Sequence, residues 1–169
     1  MKHFKQISPY SITDNVFQLI DKEWFLITAG NLHNFNTMTA SWGALGIIWN
    51  KPVAFIFIRP TRHTFSFAEE NQIFTLSFFS KDYKNILNFC GTKSGREVNK
   101  IDSTGLIPLE AENGAVYFEQ ARMVMNCKKI YFQDINPEHF LFPDIQKNYP
   151  LNDYHRMYIG EIQDCFIEQ

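Results

Sequence analysis

The chain has 169 residues, of which 45% are hydrophobic and 20% are charged. This length predicts one domain over residues 1–169, and the composition is typical of a soluble globular protein rather than a disordered one. The net charge is −2, with 16 basic against 18 acidic residues, and no basic run stands out. A nucleic-acid partner is therefore not expected.

The start of the chain and its cysteines bear on where the protein works. Met1-Lys2-His3-Phe4-Lys5 is followed by polar residues and proline, not by the apolar core of a signal peptide. No stretch approaches the roughly 20 apolar residues of a membrane span. Cys90, Cys127 and Cys165 form no CxxC pair and lie in apolar or strand-like segments, so buried reduced thiols are expected. Together these features predict a cytoplasmic protein without a membrane partner.

Aromatic residues make up 16% of the chain, and 17 of them are Phe. Aromatic side chains favour pleated sheet and large flat contact surfaces, so they indicate a β-rich body. They also allow a planar ligand or a subunit interface, although a Phe-packed core alone accounts for most of these rings.

Strands dominate the predicted elements of the first part of the chain. The alternation over Val16–Ile20 predicts one strand, and Trp24–Ala29 predicts a second after a short polar turn. Residues 30–36, rich in Asn and His, predict a loop, and a small, apolar segment runs from Met38 to Trp49. Val53–Ile58 is hydrophobic throughout, as in a strand buried on both faces.

Two short helices are predicted among the strands. The first runs from Thr61 to Glu70 and begins with a hydroxyl that can cap it. A strand follows over Ile73–Phe79, and Ser80 can cap the second helix, which Gly91 ends. The apolar face of that helix has helical spacing at Tyr83, Ile86, Leu87 and Cys90.

The last third of the chain returns to strands. Asn113-Gly114 lies between two apolar runs and is a strong hairpin signal, and the tail from Tyr154 to Ile167 predicts one long closing strand. Many strands, few helices and no βαβ rhythm favour a mainly β barrel over a doubly wound sheet. No GxGxxG motif occurs, which argues against the common nicotinamide-binding fold.

The first of three unusual polar segments is Asn36-Thr37-Met38-Thr39-Ala40-Ser41-Trp42-Gly43. Thr39, Ala40, Ser41 and Gly43 are small, so a flat ligand could approach the main chain closely there. The hydroxyls and amide groups could then hydrogen-bond a heterocycle. A tightly packed strand crossing would explain the same residues without any ligand.

The second segment is Arg59-Pro60-Thr61-Arg62-His63-Thr64, where a strand gives way to a helix. Free N–H groups and partial positive charge at a helix start favour phosphate, and arginine adds charge-assisted hydrogen bonds. Ordinary solvated residues at a helix start are the alternative. Two arginines flanking Pro60 after a wholly apolar strand favour the phosphate interpretation.

The third segment is Gly91-Thr92-Lys93-Ser94-Gly95-Arg96, with Lys100 shortly after it. Its glycines and hydroxyls after a helix indicate an ordered loop near a charged group. A plain surface turn would have the same composition.

Other chemistries lack the required patterns. His33, His63, His139 and His155 have no metal-ligand spacing with each other or with the cysteines, so no metal site is expected. No GxSxG elbow or Cys–His signature occurs, and Asp and Glu are scattered. We therefore predict no catalytic side chain.

Four motifs in this order, NTMTASWG, RPTRHT, GTKSGREVNK and YHRMYIGEI, resemble the flavin reductase-like family of FMN-binding split barrels, which includes the flavoredoxins. The resemblance extends from about Trp24 to the C-terminus. It implies a homodimeric split β-barrel with FMN near the dimer interface. It also implies a set of cofactor-binding residues in three groups, with His155 and Tyr158 matching the last strand without an assigned role. Met38, Thr39, Ala40, Ser41 and Trp42 would meet the isoalloxazine ring or ribityl chain, Arg59, Thr61, His63 and Thr64 the phosphate end, and Ser94, Gly95 and Arg96 a place near the cofactor.

Members of this family accept hydride from NADH or NADPH and pass electrons to free flavin, an iron centre or a partner protein. The resemblance therefore implies an FMN-dependent oxidoreductase with NAD(P)H as co-substrate. Two alternatives stay open: an FMN-binding electron carrier without NAD(P)H activity, reduced only by a redox partner protein, and a flavin-free split-barrel interaction protein.

Overall fold

Antiparallel strands are the main regular elements of the structure, a computed structural model that describes residues 3–169. Met1 and Lys2, which contribute to the prediction about the start of the chain, lie outside the described residues. The strands are β1 (Phe4–Ile7), β2 (Phe25–Asn31), β3 (Asn34–Ala40), β4 (Gly43–Ile48), β5 (Lys51–Ile58), β6 (Ile73–Phe78), β7 (Pro108–Glu110), β8 (Val116–Phe118), β9 (Met123–Asp134) and β10 (Arg156–Glu168). The α-helices are α1 (His63–Glu70), α2 (Lys84–Thr92) and α3 (Lys100–Thr104).

The strand order of the main sheet explains where the barrel opens. The order is β3-β2-β6-β9-β10-β5-β4, and β1 pairs with the C-terminal part of β10. Strands β3 and β4 follow each other in the chain, yet they lie at opposite ends of this hydrogen-bonded order. Their outer edges are therefore left open, and residues 41–42 connect them. This open, mainly β barrel agrees with the predicted fold class.

Two layers of apolar side chains hold the barrel together. Alternate residues of β6 point to its two faces, so Phe74, Leu76 and Phe78 pack inside the barrel. On the outer side, Leu26 and Val124 belong to a second cluster, to which α2 and β8 also contribute. Burial on both sides explains why the sheet strands are so rich in hydrophobic residues.

A glycine in β10 lets the barrel interior fill. A methyl group on Gly160 would lie 2.5 Å from Cζ of Phe74, so only glycine leaves room for this ring. The pairing of β10 with β9 also shifts register beside Gly160 and again between Ile162 and Asp164. Such irregularities bend a strand, as closure of a barrel requires.

Several predicted elements are confirmed. Strands at Trp24–Ala29 and Ile73–Phe79 correspond to β2 and β6, and the predicted tail strand corresponds to β10. Asn113-Gly114 lies in the turn between β7 and β8, where Gly114 has a φ of +82°. The three cysteines Cys90, Cys127 and Cys165 are free and buried, as predicted.

The predicted strand at Val16–Ile20 is wrong, because the segment is helical and continues as a π-helical turn over Gln18–Glu23. Asn15 Oδ1 accepts hydrogen bonds from the amides of Phe17 and Gln18, which starts the helix. The consecutive residues Leu19 and Ile20 are both buried. A half-buried strand would place them on opposite faces.

The predicted loop over residues 30–36 is also wrong, because β2 and β3 continue through most of it. The turn is tight, since Asn31 Oδ1 accepts hydrogen bonds from the amides of His33 and Asn34. Both predicted helices begin later than expected. Arg62 rather than Thr61 occupies the N-cap position of α1, and Lys81–Tyr83 forms a 3₁₀ turn before α2.

None of the helices within residues 3–169 is long and apolar enough to cross a membrane.

Candidate functional site

The open edge of β3 presents backbone groups that the sheet does not use. Thr37 O accepts a hydrogen bond from Lys100 Nζ at 2.6 Å, so this carbonyl points away from β2. In a strand, the N–H and C=O of every second residue point to the same side. The backbone N–H and C=O of Thr39 therefore also face the open edge, where a ligand can reach them.

A cavity of about 220 Å³, the edge cleft, lies along this open edge. The first predicted segment, Met38 to Trp42, forms one wall, as expected from its small residues. Residues from β5, the β5–α1 connection, α2 and the position just before β10 complete the cleft. Its lining is Met38, Thr39, Ala40, Ser41, Trp42, Phe57, Arg59, Arg62, Gly91 and His155.

His155 lines the edge cleft and contacts two aromatic residues, of which Trp42 also lines the cleft and Tyr149 does not. His155 is 8% exposed, its Nδ1 lies 2.9 Å from Tyr149 Oη, and its ring centroid lies 5.1 Å from that of Trp42. Burial first, and then the charge of Arg59, lower the pKa of His155 to about 4. The imidazole is therefore neutral at pH 7, and its role is to pack and to hydrogen-bond rather than to carry charge.

Arg59 lies in the edge cleft and is bound to the segment before β10. It forms an ion pair with Asp153 Oδ1 at 2.7 Å, donates to Asn148 O at 2.8 Å, and lies over the ring of Tyr149. Thr61 Oγ1 also lies 3.5 Å from Asp153 Oδ2. The predicted phosphate role of Arg59 stays a prediction, since these contacts use only part of its five N–H donors.

A second cavity of about 90 Å³, the loop pocket, adjoins the edge cleft. It shares Met38 and Arg62 with that cleft, so the two predicted segments lie side by side. Three cations and four hydroxyls line it, and none of its described lining residues is a carboxylate. The lining is Asn36, Met38, Thr61, Arg62, His63, Thr64, Thr92, Lys93, Ser94, Gly95 and Lys100.

Arg62 stands at the junction of the two cavities. Its guanidinium donates to Gly91 O at 2.8 Å, which ties the start of α1 to the end of α2. Burial first, and the nearby charge of Arg59 second, lower the pKa of Arg62, but an arginine remains charged under all physiological conditions. This cation therefore faces both cavities.

His63 contributes a buried polar atom to the loop pocket. Its Nδ1 is buried and has no hydrogen-bond partner within residues 3–169. Burial first, then Arg96 and Lys100, lower the pKa of this imidazole, so it is neutral at pH 7. A buried nitrogen without a partner is uncommon in proteins, and it can serve as a ligand contact.

Lys100 is the most buried cation of the site, with 5% of its surface exposed. Its Nζ donates to Thr37 O at 2.6 Å and to Cys90 O at 2.8 Å. An ammonium has three donors, so one N–H remains for a ligand. Burial lowers its pKa to about 8, which shows how much this group lacks hydration.

Gly95 allows the loop of the third predicted segment to approach β3 closely. A methyl group at this position would lie 2.1 Å from Asn36 Oδ1 and 3.1 Å from Cδ2 of His63. Asn36 in turn donates from Nδ2 to Thr64 Oγ1 at 2.7 Å. The pocket therefore depends on the missing side chain at residue 95.

Not every predicted residue lies in these cavities. Arg96 is exposed and donates to Thr61 O at 3.2 Å, but it lines a neighbouring cleft rather than the loop pocket. Tyr158 is buried with its hydroxyl on Glu69, and it lines neither the edge cleft nor the loop pocket. Its match to the family motif therefore reflects packing.

Eight residues that line the two cavities lie outside the predicted cofactor-binding set: Asn36, Phe57, Arg62, Gly91, Thr92, Lys93, Lys100 and His155. Asn36 and Gly91 begin two of the quoted segments, so their position was a usable signal. Phe57 lies in a continuously apolar strand, and nothing in the sequence distinguishes it from the phenylalanines of the core. Within residues 3–169, no group of three or more His, Cys, Asp or Glu side chains is arranged to hold a metal ion.

Comparisons with known proteins bear on the family and the fold. The family model of the flavin reductase like domain matches residues 19–169. No curated protein matches the chain. A solved FMN-binding domain of a flavin reductase-like enzyme from Shewanella baltica superposes with a TM-score of 0.72 at 16% identity, covering 99% of this chain and 78% of that one.

Two further solved structures have the same fold. Flavoredoxin of Desulfovibrio vulgaris (Miyazaki F) gives a TM-score of 0.67 at 24% identity, covering 86% of this chain and 69% of that one. An FMN-binding protein from Thermus thermophilus with bound p-hydroxybenzaldehyde gives 0.70 at 17% identity, with coverages of 96% and 83%. The fold is that of the split-barrel flavin-binding proteins, which confirms the predicted class.

The chain belongs to the flavin reductase-like family, since the family model covers all but its first 18 residues. This confirms the resemblance stated from the motifs. It also supports a flavin-related oxidoreductase or carrier as the class of protein.

Proposed function

We propose that this protein is an FMN-dependent oxidoreductase that takes hydride from NAD(P)H and passes electrons to an acceptor. The isoalloxazine ring would occupy the edge cleft and the phosphate the loop pocket. One observation carries the proposal: an open strand edge suited to a flat ring leads directly into a cationic, hydroxyl-lined pocket through Met38 and Arg62.

The loop pocket fits a phosphate by its donors. Arg62, Lys93 and Lys100 supply positive charge, and the hydroxyls of Thr61 and Ser94 lie among the same lining residues. Hydrogen bonds between charged groups and phosphate are stronger than neutral ones. The same lining includes Thr64, Gly95 and His63, whose Nδ1 has no hydrogen-bond partner within residues 3–169. A bound phosphate would bring a negative charge to this group of cations and polar atoms.

The edge cleft fits the ring by backbone and aromatic contacts. Met38, Thr39, Ala40, Ser41 and Trp42 would line one side, and the amide of Thr39 faces the open edge. When bound, FMN supplies the hydride and electron chemistry, and the protein supplies position and electrostatics. Fixed N–H donors favour the negative charge that a reduced flavin ring acquires. We assign no catalytic side chain. The uncharged imidazole of His155 would pack beside the ring as part of the cleft lining.

A homodimer would cover an apolar groove beside the edge cleft. This groove of about 800 Å³ shares Ser41, Trp42 and Phe57 with the cleft. Phe17 lines it and is 84% exposed, which is costly for a protein that stays monomeric.

The three free thiols support a reducing compartment, the cytoplasm, as the place of action.

The test is the absorption spectrum of the purified protein followed by a turnover assay. We expect a yellow protein, or uptake of added FMN at micromolar concentration, and FMN-dependent oxidation of NADH or NADPH. A yellow protein that is reduced only by a partner protein would favour an electron carrier. A colourless protein that takes up no flavin would contradict the proposal and favour an interaction protein.

A further inference from the structure

The apolar groove beside the edge cleft is large enough to hold a small molecule. Its volume of about 800 Å³ lies within the range of ligand pockets, about 300–1,000 Å³. Phe17 lies at its exposed rim, whereas Ser41 and Phe57, which also line the edge cleft, are half-buried. A second copy that covers the rim would therefore enclose the inner end of the groove beside the edge cleft.

The lining of the groove suits a planar, apolar molecule. Ile20 and Leu45 supply aliphatic surface, and Phe17, Trp42 and Phe57 supply aromatic rings. Aromatic rings pack well against other flat rings. Since most of the lining side chains are apolar, a ligand would be held mainly by the burial of its own apolar surface.

Charge separates the groove from the proposed flavin site. Arg59 and Arg62 line the edge cleft, whereas none of the described lining residues of the groove is a cation. The charged residue in its lining is Asp21, which forms an exposed ion pair with Lys22. An anionic molecule would lose its hydration in the groove and find no cation to pair with. Free FMN, whose phosphate is anionic, is therefore a poor ligand of the groove.

An electron acceptor that fits this groove must be uncharged, planar and apolar, and it must take up two electrons. Quinones combine these properties. We propose that the apolar groove binds an uncharged quinone, which is the electron acceptor of this protein. This inference rests on the proposed function, since it requires a flavin ring in the edge cleft.

The position of the groove and the balance of the reaction both allow this role. Hydride transfer requires about 3–3.5 Å between reacting atoms. Ser41, Trp42 and Phe57 line both the groove and the edge cleft, so rings bound in the two cavities would border each other. Overall, hydride from NAD(P)H supplies two electrons and one proton, and water supplies a second proton. The quinone becomes a hydroquinone, which leaves together with NAD(P)⁺.

Part of the groove comes from a segment that precedes the family match. Val16 and Phe17 line it, and the family model begins at residue 19. Asn15 Oδ1 accepts a hydrogen bond from the amide of Phe17 at 3.0 Å, and Asp14 forms an ion pair with Arg122 at 2.7 Å. The segment is thus fixed to the barrel, and the choice of acceptor would depend partly on residues outside the matched region.

The experiment compares the binding of two quinones to the oxidised, FMN-saturated protein by calorimetry. Menadione is uncharged, and the corresponding naphthoquinone sulfonate carries a sulfonate in place of the methyl group. We expect menadione to bind about tenfold more tightly or better. The same preference should appear in kcat/KM for anaerobic oxidation of NADH or NADPH, although the electron-withdrawing sulfonate makes the ring easier to reduce.

A cation placed in the groove should reverse this preference in part. Ala44 is exposed and lines the groove, so Ala44→Lys should tighten binding of the sulfonate by about fivefold or more and should not tighten binding of menadione. Gly46→Lys is the matched control, because Gly46 lies two residues further along β4, on the same face, and does not line the groove. A Cβ on Gly46 would meet nothing within 4 Å. This control should leave both dissociation constants within about twofold, and circular dichroism shows whether both variants fold.

Equal affinity of the parent protein for the two quinones, or no binding of menadione, would overturn the inference while leaving the proposed function intact. So would an Ala44→Lys variant that changes the oligomeric mass but not the binding of the sulfonate, since a second copy would then fill the groove. Reduction of bound FMN by NADH or NADPH without any acceptor tests the proposed function separately. Its failure would end both, because the acceptor role requires it.

Discussion

The edge cleft and the loop pocket adjoin each other, yet different parts of the fold build them. The edge cleft has the open edge of β3 for one wall, and Phe57 of β5 and His155, just before β10, are among its other lining residues. The loop pocket is built mainly from side chains around the starts and ends of α1, α2 and α3, together with Asn36 and Met38 of β3. Barrel strands thus provide most of the shape, and the segments next to the helices, which include Arg59, Arg62, Lys93 and Lys100, provide the charge.

This difference separates two kinds of effect. A side-chain substitution in the edge cleft leaves the backbone N–H and C=O groups in place. Such substitutions should therefore alter the reduction potential of a bound flavin more than its affinity. Side chains in the loop pocket supply the anion contacts, so changes there should appear directly as lost affinity. The following predictions test that division, from the largest expected effect to the smallest.

Replacing Lys100 should have the largest effect on binding. Lys100→Met keeps most of the volume but removes the buried cation, so FMN affinity should fall by about 1.5–3 kcal/mol, the range of a hydrogen bond to a charged group. The free energy of unfolding should also fall, by about 1–3 kcal/mol, because Thr37 O and Cys90 O lose their donor. Calorimetry and urea denaturation measure the two effects.

Lys93→Met is the control for this variant, because Lys93 lines the same pocket but is exposed. It should weaken FMN less than Lys100→Met and leave the unfolding free energy nearly unchanged. The opposite ranking would remove Lys100 from the centre of the phosphate site.

Arg59 lines the edge cleft and not the loop pocket, so its predicted phosphate role is the exception that tests this division. Arg59→Ala should weaken FMN binding by about 1.5–3 kcal/mol if its free N–H groups reach the phosphate end. Asp153→Asn removes the ion pair but keeps Arg59, so it should leave FMN affinity within about twofold. Equal losses in the two variants would mean that Arg59 only anchors the segment before β10, and that the phosphate role is wrong.

The pH dependence of FMN binding should follow Lys100. Its pKa in the flavin-free protein is about 8, lowered by burial from 10.5. FMN should bind about tenfold more weakly at pH 9 than at pH 7, because one unit above its pKa an amine is about one-tenth protonated. The unfolded lysine keeps its proton up to about 10.5, so this group makes the flavin-free protein more stable, not less, as pH rises between those values. Lys100→Met should abolish both trends, and a persistent fall in affinity would assign them elsewhere.

The smallest expected effects on FMN affinity come from replacing two glycines, Gly95 and Gly91. A methyl group on Gly95 meets Asn36 Oδ1 at 2.1 Å, so Gly95→Ala must displace Asn36 from Thr64. A methyl group on Gly91 would lie 3.2 Å from Cβ of Thr39, so the Thr39 side chain would have to move only slightly. FMN affinity should fall about fivefold for Gly95→Ala and less than about twofold for Gly91→Ala. Titration of both proteins under identical conditions decides the order.

Sequence reasoning located the barrel well because its strands follow simple patterns. β6 alternates between two buried layers, β5 is almost continuously apolar, and the Asn113-Gly114 turn has a strong local signal. The wrong secondary-structure predictions lie where an asparagine side chain accepts hydrogen bonds from nearby backbone amides. Asn15 starts a helix at a segment that alternates like a strand, and Asn31 closes a tight hairpin where an Asn-rich loop was predicted.

The candidate site was predictable at the level of segments but not of contacts. Three short motifs identified the regions that the fold brings together. The partners of their side chains are remote in sequence, as with Arg59 and Asp153, which are 94 residues apart. Lys100 likewise looks like any loop lysine until α2 and β3 bury it, so its role follows from the tertiary structure alone.

The most direct measurement compares riboflavin and FMN as ligands of the flavin-free protein. Both carry the same ring and ribityl chain, and only FMN carries the phosphate that the loop pocket is proposed to hold. We predict that FMN binds at least about a hundredfold more tightly, about 2.7 kcal/mol, and that Lys100→Met removes most of this difference. Equal affinities for the two ligands would contradict a phosphate site beside the open strand edge.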